Sequence, residues 1–421
     1  MQDRRDFIRL GALGLAGLFA TEVDGEILPQ PNKVAKPVRF KSWKKLQSCF
    51  DINKDIAYFN TGTMGLSPKP VMDAVSNRME FVNQTGSYSG HKKELKQALA
   101  LFTGAKPNEV ALTHNVSEGI NIAAWSLPLK AGDEVILTDH EHVGNALPWL
   151  NRQRLENIRI RVVELQPTAE ATLDAIKALT NEKTRVIAVP HVTCTTGQVL
   201  PIKQIVEFAQ SRDIRTFIDG AHGLGMLNLQ LNETLGCDVY ASCGHKWNLG
   251  PKGTGFLYAR EDLIQELTPY FVGGYSDTGW KLSDDDSKLE GYVDNAHRFH
   301  YGTQNSALYA GWNAAVSFFD QVGKDKIYQR IGDLNDMVLE GLQHMNGISI
   351  VTPTEKMSRG GLISFVFDNQ DTRALYSKLR ENKWVIRFVG ESDLNCIRIS
   401  THIYNSESQI EGLLSAIRSC V

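Results

Sequence analysis

The chain has 421 residues, enough for one large domain and a smaller one, and its 42% hydrophobic and 22% charged residues are ordinary for a soluble globular enzyme. The formal net charge of −3 argues against nucleic acid as a partner. The sequence contains no run of about 18 apolar residues, so we expect no stable membrane anchoring.

The first 22 residues have the composition of an export signal. In MQDRRDFIRLGALGLAGLFA, the paired Arg4 and Arg5 precede an apolar pair and Arg9, and a weakly hydrophobic run then reaches Ala20. This pattern resembles a twin-arginine signal, which carries folded proteins out of the cytoplasm, and a short amphipathic helix is the alternative. We therefore expect a periplasmic protein.

The rest of the chain divides into three parts. Residues 23–50 are polar and contain three prolines, as expected of a linker. Residues 51–300 are predicted to form a large domain, whose first segment contributes to a small domain formed by residues 301–421. Within the large domain, five strand patterns alternate with helical patterns: EVILTD, IRIRVVEL, TRVIAVPHV, IRTFIDGAH and CDVYASCGH. Such alternation predicts an α/β fold with a mostly parallel sheet covered by helices.

The pattern changes after about residue 305. Two helical patterns, roughly 305–322 and 325–345, precede the short strands ISFVF and CIRIS and a last helix, SESQIEGLLSAIRS. This order predicts a smaller α+β domain at the C-terminus.

Polar side chains follow the predicted strands, at the edge where open α/β sheets bind ligands. Asp219 ends the strand TFID, and Lys246 lies between His245 and Trp247 in a glycine-rich turn after the next strand. A lysine amine attacks carbonyl carbons only when it is neutral, which partial burial favours. Lys246 is therefore a candidate nucleophile; a surface lysine and, for Asp219, a helix cap are the alternatives.

These residues, together with THNVSEGIN, DHEHVGN, RFHYGTQN and CIRIS, resemble the class V aminotransferases, which are pyridoxal 5′-phosphate (PLP) enzymes of the type I fold. The resemblance runs over nearly the whole chain after about residue 50 and is strongest to the isopenicillin N epimerase-like branch, near the cysteine desulfurases and selenocysteine lyases. It implies a PLP-binding large domain, a small-molecule amino-acid substrate and a homodimer. A nucleotide-binding dehydrogenase is excluded because GALGLAG lies inside the export signal with no strand before it.

The resemblance implies a role for each cofactor contact. Lys246 forms the Schiff base and later moves protons at the substrate α-carbon, and Asp219 pairs with the pyridine nitrogen. The remaining contacts serve the phosphate, the two ring faces and the phenolic oxygen. They are Asn115, Val116, Ser117 and His245 for the phosphate, with Gly302 and Thr303 reaching that of a partner subunit; His142 and Ala221 for the ring faces; and His222 for the phenolic oxygen.

For the substrate, the resemblance implies that Arg398 binds the carboxylate and that Asn60 lines the entrance. It favours transamination or epimerisation at the α-carbon. Desulfurase-like β-elimination and a binding protein without catalysis are the alternatives. Cys396 shares a strand face with Arg398, yet a strand would hold it too rigidly for a persulfide carrier. The cysteine spacing matches no metal site, so no metal is expected.

Overall fold

The computed structural model describes residues 40–88 and 90–420. The predicted export signal and the linker up to residue 39 lie outside this part of the chain. The described residues begin with a short helix inside the predicted linker and a short strand, followed by two longer helices. These elements are α1 (Trp43–Gln47), β1 (Ala57–Tyr58), α2 (Lys69–Thr85) and α3 (Lys92–Thr103).

A seven-stranded sheet forms the centre of the large domain. Its strands are β2 (Val110–Thr113), β3 (Glu134–Thr138), β4 (Arg159–Val163), β5 (Thr184–Pro190), β6 (Arg215–Asp219), β7 (Val239–Cys243) and β8 (Gly255–Ala259). Their spatial order is β2-β8-β7-β6-β5-β3-β4. Only β8 pairs antiparallel with its neighbours, and the others run parallel. The predicted mostly parallel sheet is confirmed.

Helices cover both faces of this sheet because its strands are apolar on both sides. Along β5, Ile187 and Val189 enter one hydrophobic core, whereas Val186 and Ala188 enter another. The connecting helices are α4 (Val116–Ser126), α5 (Val143–Glu156), α6 (Ala169–Leu179) and α7 (Ile202–Gln210). Side chains of α7 enter the first core and those of α4 and α5 the second. Each fully buried aliphatic side chain contributes about 1.5–3 kcal/mol relative to an exposed one.

An exposed hairpin and two long helices follow the sheet. They are β9 (Asp277–Lys281), β10 (Lys288–Tyr292), α8 (Ser306–Val322) and α9 (Lys324–Gln343). Although residue 306 falls in the predicted small domain, Trp312 and Phe319 of α8 pack in the first core of the large sheet, together with Val71 and Leu99. Helix α8 therefore lies against α2 and α3.

The small domain is a four-stranded antiparallel sheet with its own core. The elements are β11 (Ile348–Ile350), β12 (Leu362–Phe367), α10 (Thr372–Glu381), β13 (Trp384–Val385), β14 (Arg387–Val389), β15 (Cys396–Ser400) and α11 (Glu407–Arg418). The sheet order is β11-β12-β15-β14, and β13 pairs instead with β1 from the start of the chain. The predicted architecture, a large sheet domain followed by a smaller C-terminal α+β domain, is confirmed.

Short helical turns complete the described chain. They are the 3-10 turns Pro107–Glu109, Ile264–Glu266, Ala296–Phe299, Lys356–Ser358 and Glu391–Asp393 and the π-turn Leu231–Leu235. None of the helices in the described ranges has the length and apolar character needed to cross a membrane.

Candidate active site

One cavity of about 270 Å³ opens at the carboxyl ends of the central strands. Nine of the thirteen predicted site residues line it. Its wall is formed by Gly62, Thr63, Asn115, Val116, Ser117, His142, Gly144, Cys194, Asp219, Ala221, His222, Cys243, His245, Lys246 and Arg387. The four predicted residues outside the wall are Asn60, Gly302, Thr303 and Arg398.

Lys246 reaches the cavity from a tight turn after β7. The turn is closed by the Gly250 N–H, which donates to the Gly244 carbonyl at 2.7 Å, and by the Gly244 N–H, which donates to Thr254. A Cβ on Gly244 would lie 2.6 Å from the Trp312 ring, so a side chain there would displace the turn. The glycines around Lys246 are thus explained by close packing, and Lys246 itself is half-buried.

Asp219 is the last residue of β6 and is 5% exposed. One of its carboxylate oxygens accepts a hydrogen bond from the Ala221 N–H at 2.9 Å. Within the described residues, the second oxygen has no hydrogen-bond partner. A buried carboxylate requires a partner, and a protonated ring nitrogen in the cavity would supply one.

The start of α4 forms the anion-binding end of the cavity. Asn115 caps the helix by accepting from the Glu118 N–H at 2.8 Å, which leaves the first-turn N–H groups of Val116 and Ser117 without helical partners. These groups and the positive end of the helix dipole suit a phosphate. A Cβ on Gly144 would clash with the Ser117 hydroxyl, so the glycine keeps this end open.

Three histidines surround Lys246, and burial lowers the pKa of each, with Lys246 lowering it further. The His142 Nδ1 accepts from the Gly144 N–H at 3.0 Å, so a neutral His142 carries its proton on Nε2. His245, whose pKa falls to about 4, donates from Nδ1 to the Thr254 carbonyl at 3.1 Å. The pKa of His222 lies well below its ordinary value.

The donor set therefore fits PLP. An anion-binding helix end, an aspartate with one oxygen free, a lysine and the small Ala221 face one cavity. The sequence could not show which ring nitrogen of His245 carries the proton. Because its Nδ1–H is committed to Thr254, a neutral His245 has no second proton to donate to a phosphate.

Arg398 lies beneath the cavity wall and is fully buried. Its guanidinium donates to the Cys194 carbonyl at 2.6 Å, to the Thr63 hydroxyl at 3.0 Å and to Asn60 Oδ1 at 3.4 Å. Burial, and secondly Arg387, lower the pKa of Arg398 to about 9, which leaves it charged at neutral pH. The predicted pair Asn60 and Arg398 thus contact each other behind the wall.

Arg387 is a wall residue that the sequence interpretation missed. It pairs across the small sheet with Arg398, so the two side chains lie on one face of the sheet. Arg387 also forms an ion pair with Glu391. The arginine follows a short strand in WVIRFV, and that strand alone gave no reason to single it out.

Three buried cysteines lie in or near the site. Cys396 is fully buried in β15 and does not line the cavity, whereas Cys194 and Cys243 do. Burial raises the pKa of Cys243 and that of Cys396 to about 11, and it also raises the pKa of Cys194. At neutral pH these thiols are protonated and weakly nucleophilic.

Gly302 and Thr303 are exposed and lie outside the cavity. Gly302 has a left-handed backbone with φ of 70°. The neighbouring Tyr301 donates to Glu118 at 3.0 Å, which fixes this loop beside the first turn of α4.

The segment 58–65 forms part of the cavity wall and contacts both the Lys246 turn and the small domain. The Gly65 N–H donates to the His245 carbonyl at 2.8 Å, beside Lys246. The Ser400 N–H donates to the Phe59 carbonyl at 2.9 Å, and the Asn405 side chain donates to the Tyr58 carbonyl at 2.7 Å. The site therefore includes residues from the N-terminal segment, the large sheet and the small domain.

The sequence of this chain is similar to those of known enzymes. A model of the family described as aminotransferase class-V matches residues 66–413. The chain is 29% identical over 394 residues to isopenicillin N epimerase of Amycolatopsis lactamdurans, covering 90% of this chain and 98% of that one. It is 28% identical to a probable cysteine desulfurase of Methanothermobacter thermautotrophicus, covering 85% and 93%.

Two solved structures are similar to this chain over most of its length. The cystine C–S lyase C-DES, in complex with its product cysteine persulfide, is 29% identical with a TM-score of 0.79, over 87% of this chain and 98% of that one. A C-DES variant with glycine covalently linked to the PLP cofactor is 28% identical with a TM-score of 0.80, over 88% and 98%.

Proposed function

The chain belongs to the class V aminotransferase family of PLP-dependent enzymes, and we propose that it acts at the α-carbon of an amino acid by transamination or epimerisation. The observation that carries this proposal is the convergence of Lys246, Asp219, His142 and the α4 N-terminus on one cavity. PLP, when bound, supplies an electron sink that stabilises negative charge at the substrate α-carbon.

Different residues of the cavity would bind different parts of the cofactor. Lys246 would hold the cofactor covalently, Asp219 would keep the ring nitrogen protonated, and Val116 and Ser117 would bind the phosphate through their N–H groups. Ala221 and His142 would enclose the ring. His142 is half-buried, and partial burial together with Lys246 lowers its pKa, which favours a neutral imidazole.

The substrate carboxylate would be bound by arginine. Arg387 faces the cavity, and Arg398 lies directly behind Gly62, where a Cβ would come within 3.0 Å of its Nη2. The missing side chain at Gly62 leaves the Arg398 guanidinium within reach of a carboxylate. We expect both arginines to contribute, with Arg398 oriented by Asn60 and Thr63.

Proton transfer at the α-carbon would use Lys246 first. Its amine would take the proton from the substrate α-carbon and later return a proton, as both transamination and epimerisation require. Inversion at the α-carbon also needs a proton donor on the opposite ring face, and the His142 Nε2–H is suited to that role.

A second candidate reaction is C–S bond cleavage, since relatives include cysteine desulfurases and a cystine C–S lyase. The burial of Cys396 in β15 disfavours a persulfide carrier at that position. Elimination from a disulfide substrate needs no protein thiol, because the leaving group already carries the sulfur. Rapid release of sulfur product from L-cystine, with unchanged rate in Cys396→Ala, would favour this reaction over transamination.

The cofactor assignment is tested by borohydride reduction of the purified protein followed by peptide mapping. We expect the pyridoxyl group on Lys246. The same preparation is then incubated with α-amino acids in deuterated water, and keto-acid formation, inversion and deuterium at the α-carbon are measured. A label on another lysine would refute the assignment of Lys246, and binding of PLP without turnover of any amino acid would support the non-catalytic alternative.

We also propose a homodimer in which Gly302 and Thr303 reach the partner's phosphate site. This proposal is supported by three exposed aromatic side chains near the loop, those of Tyr270, Phe271 and Tyr275. The Phe271 ring lies 5.3 Å from that of Tyr301. A monomer rarely exposes such a cluster without a partner.

We also propose export by the twin-arginine route, from the paired Arg4 and Arg5 and the apolar pair, Arg9 and weakly hydrophobic run that follow them. Replacing both with lysine should retain the protein in the cytoplasm, as measured by fractionation. Normal arrival of the doubly substituted protein in the periplasm would refute the signal.

A further inference from the structure

Three buried residues, His402, Trp247 and His222, are linked by hydrogen bonds beside Lys246. The His402 Nε2–H donates to the Trp247 carbonyl at 2.9 Å. The Trp247 indole N–H donates to His222 Nδ1 at 3.0 Å. His222 Nε2 lies 3.4 Å from Lys246 Nζ. Trp247 is next to Lys246 in sequence, but it does not line the cavity and has no part in the proposed chemistry.

The indole fixes which His222 nitrogen carries the proton. An indole N–H can only donate, so His222 Nδ1 must accept and carries no hydrogen. Burial lowers the pKa of His222 far below its ordinary value, so the ring is neutral and its single proton is on Nε2. His222 therefore presents a donor to the cavity.

We propose that Trp247 is a positioning residue that locks His222 in the Nε2–H tautomer, so that His222 presents a hydrogen-bond donor to the Lys246 amine, 3.4 Å away. A neutral amine offers a lone pair to this donor, whereas an ammonium group would place N–H against N–H. The tautomer follows from the contact between Trp247 and His222. The statement that this tautomer prepares Lys246 for the cofactor rests on the proposed function.

The indole itself has little freedom to move. Trp247 is fully buried and its ring stacks on His402, with centroids 5.9 Å apart and planes 30° apart. A Cβ on Gly361 would lie 2.7 Å from the indole, so that glycine provides the space for the ring. The Ile403 N–H donates to His402 Nδ1 at 2.9 Å, which fixes the His402 tautomer as well. Packing against His402 and Gly361 therefore holds the indole N–H in place against His222.

The tautomer is measured by long-range ¹H–¹⁵N correlation spectra of the full-length protein labelled with ¹⁵N-histidine, with and without PLP. A His222→Gln variant assigns the His222 signals. We expect a protonated Nε2 and an unprotonated Nδ1 in both forms. In Trp247→Phe, which keeps an aromatic ring and removes the donor, a Nδ1–H population should appear.

The effect on Lys246 is measured by reductive methylation of the PLP-free protein with ¹³C-formaldehyde at a fixed pH, followed by peptide mapping. Loss of one hydrogen bond predicts about a two- to tenfold slower reaction of Lys246 in Trp247→Phe. The matched control is Trp149→Phe, which removes a fully buried indole that packs on Phe217 in the second core. We expect the His222 spectrum and the Lys246 rate of this control to equal those of the wild type.

A Nδ1–H tautomer in the wild type would overturn the proposal, and this result needs no variant to fold. An unchanged His222 spectrum in Trp247→Phe would also overturn it, as would a changed spectrum with an unchanged Lys246 rate. Failure to bind PLP, read separately from visible absorbance, would count against the proposed function while leaving the tautomer result intact.

Discussion

Gly62 illustrates how one missing side chain controls access to a buried charge. A Cβ at this position would lie 2.5 Å from Leu362 Cδ2 and 3.0 Å from Arg398 Nη2. In Gly62→Ala we expect KM for the amino-acid substrate to rise about tenfold or more, with a smaller change in kcat, because a charged hydrogen bond to the carboxylate is weakened. Steady-state kinetics on the best substrate of the screen measure this. An unchanged KM would exclude Arg398 from substrate binding.

The raised pKa of Glu141 makes the stability of the folded protein depend on pH. Burial, and to a smaller extent Asp219, raise its pKa to about 8, although hydrogen bonds from Asn145 and Thr138 act in the opposite direction. The unfolded value is about 4.3, so the folded state holds the proton more tightly, and its stability falls as pH rises from about 4.3 to 8.

A Glu141→Gln variant cannot ionise and should avoid this loss. Relative to the wild type, it should gain at least about 1 kcal/mol of unfolding free energy between pH 5 and pH 8. Urea unfolding of PLP-free protein at both pH values measures the difference. Glu340→Gln, at an exposed position of α9, is the control and should show no pH-dependent gain. A gain of the same size in both variants would contradict the assignment to Glu141.

At the scale of one element, helix α9 contains two glycines in different surroundings. A Cβ on Gly332 would meet no atom within 4 Å, whereas one on Gly341 would clash with Leu414 of α11. Alanine is favoured over glycine in a helix by about 1 kcal/mol, so Gly332→Ala should stabilise the protein by about 0.5–1 kcal/mol. Gly341→Ala should be less stable than Gly332→Ala in the same urea titration. Equal stability would mean that α9 and α11 are not packed as described.

Some helices and strands could be predicted from the sequence, and others could not. Helices α8 and α9 follow the periodic patterns closely because apolar side chains face a core at helical spacing. The hairpin β9–β10 was not predicted, since its residues are mostly exposed and carry little alternation. Within the site, residues next to strand ends were predictable, whereas Arg387 enters the cavity only through its register opposite Arg398. Such register depends on long-range pairing, which a single sequence does not contain.

For the whole molecule, we expect a dimer with twice the mass of one chain by light scattering. Phe271→Asp should yield a monomer with poor PLP retention, because a charge is placed in the proposed apolar contact. Thr303→Ala should keep the dimer and weaken PLP retention by about 1.5–3 kcal/mol, the value of a charged hydrogen bond. Met357→Asp, at another exposed apolar position, is the control. A monomer that retains PLP and full activity would refute the shared site.

The position of segment 58–65 in the cavity wall has a consequence for biosynthesis. Asn60 and Arg398, which contact each other, are 338 residues apart in the chain. At roughly 5–20 residues per second, the N-terminal segment leaves the ribosome tens of seconds before its partners in β15 exist. The hydrogen bonds that join Gly62 and Thr63 to Ser400 and Arg398 of β15 cannot form during that interval. A nascent chain that stops short of β15 should therefore contain most of the large sheet and no competent PLP pocket, so cofactor capture belongs to the released, full-length chain.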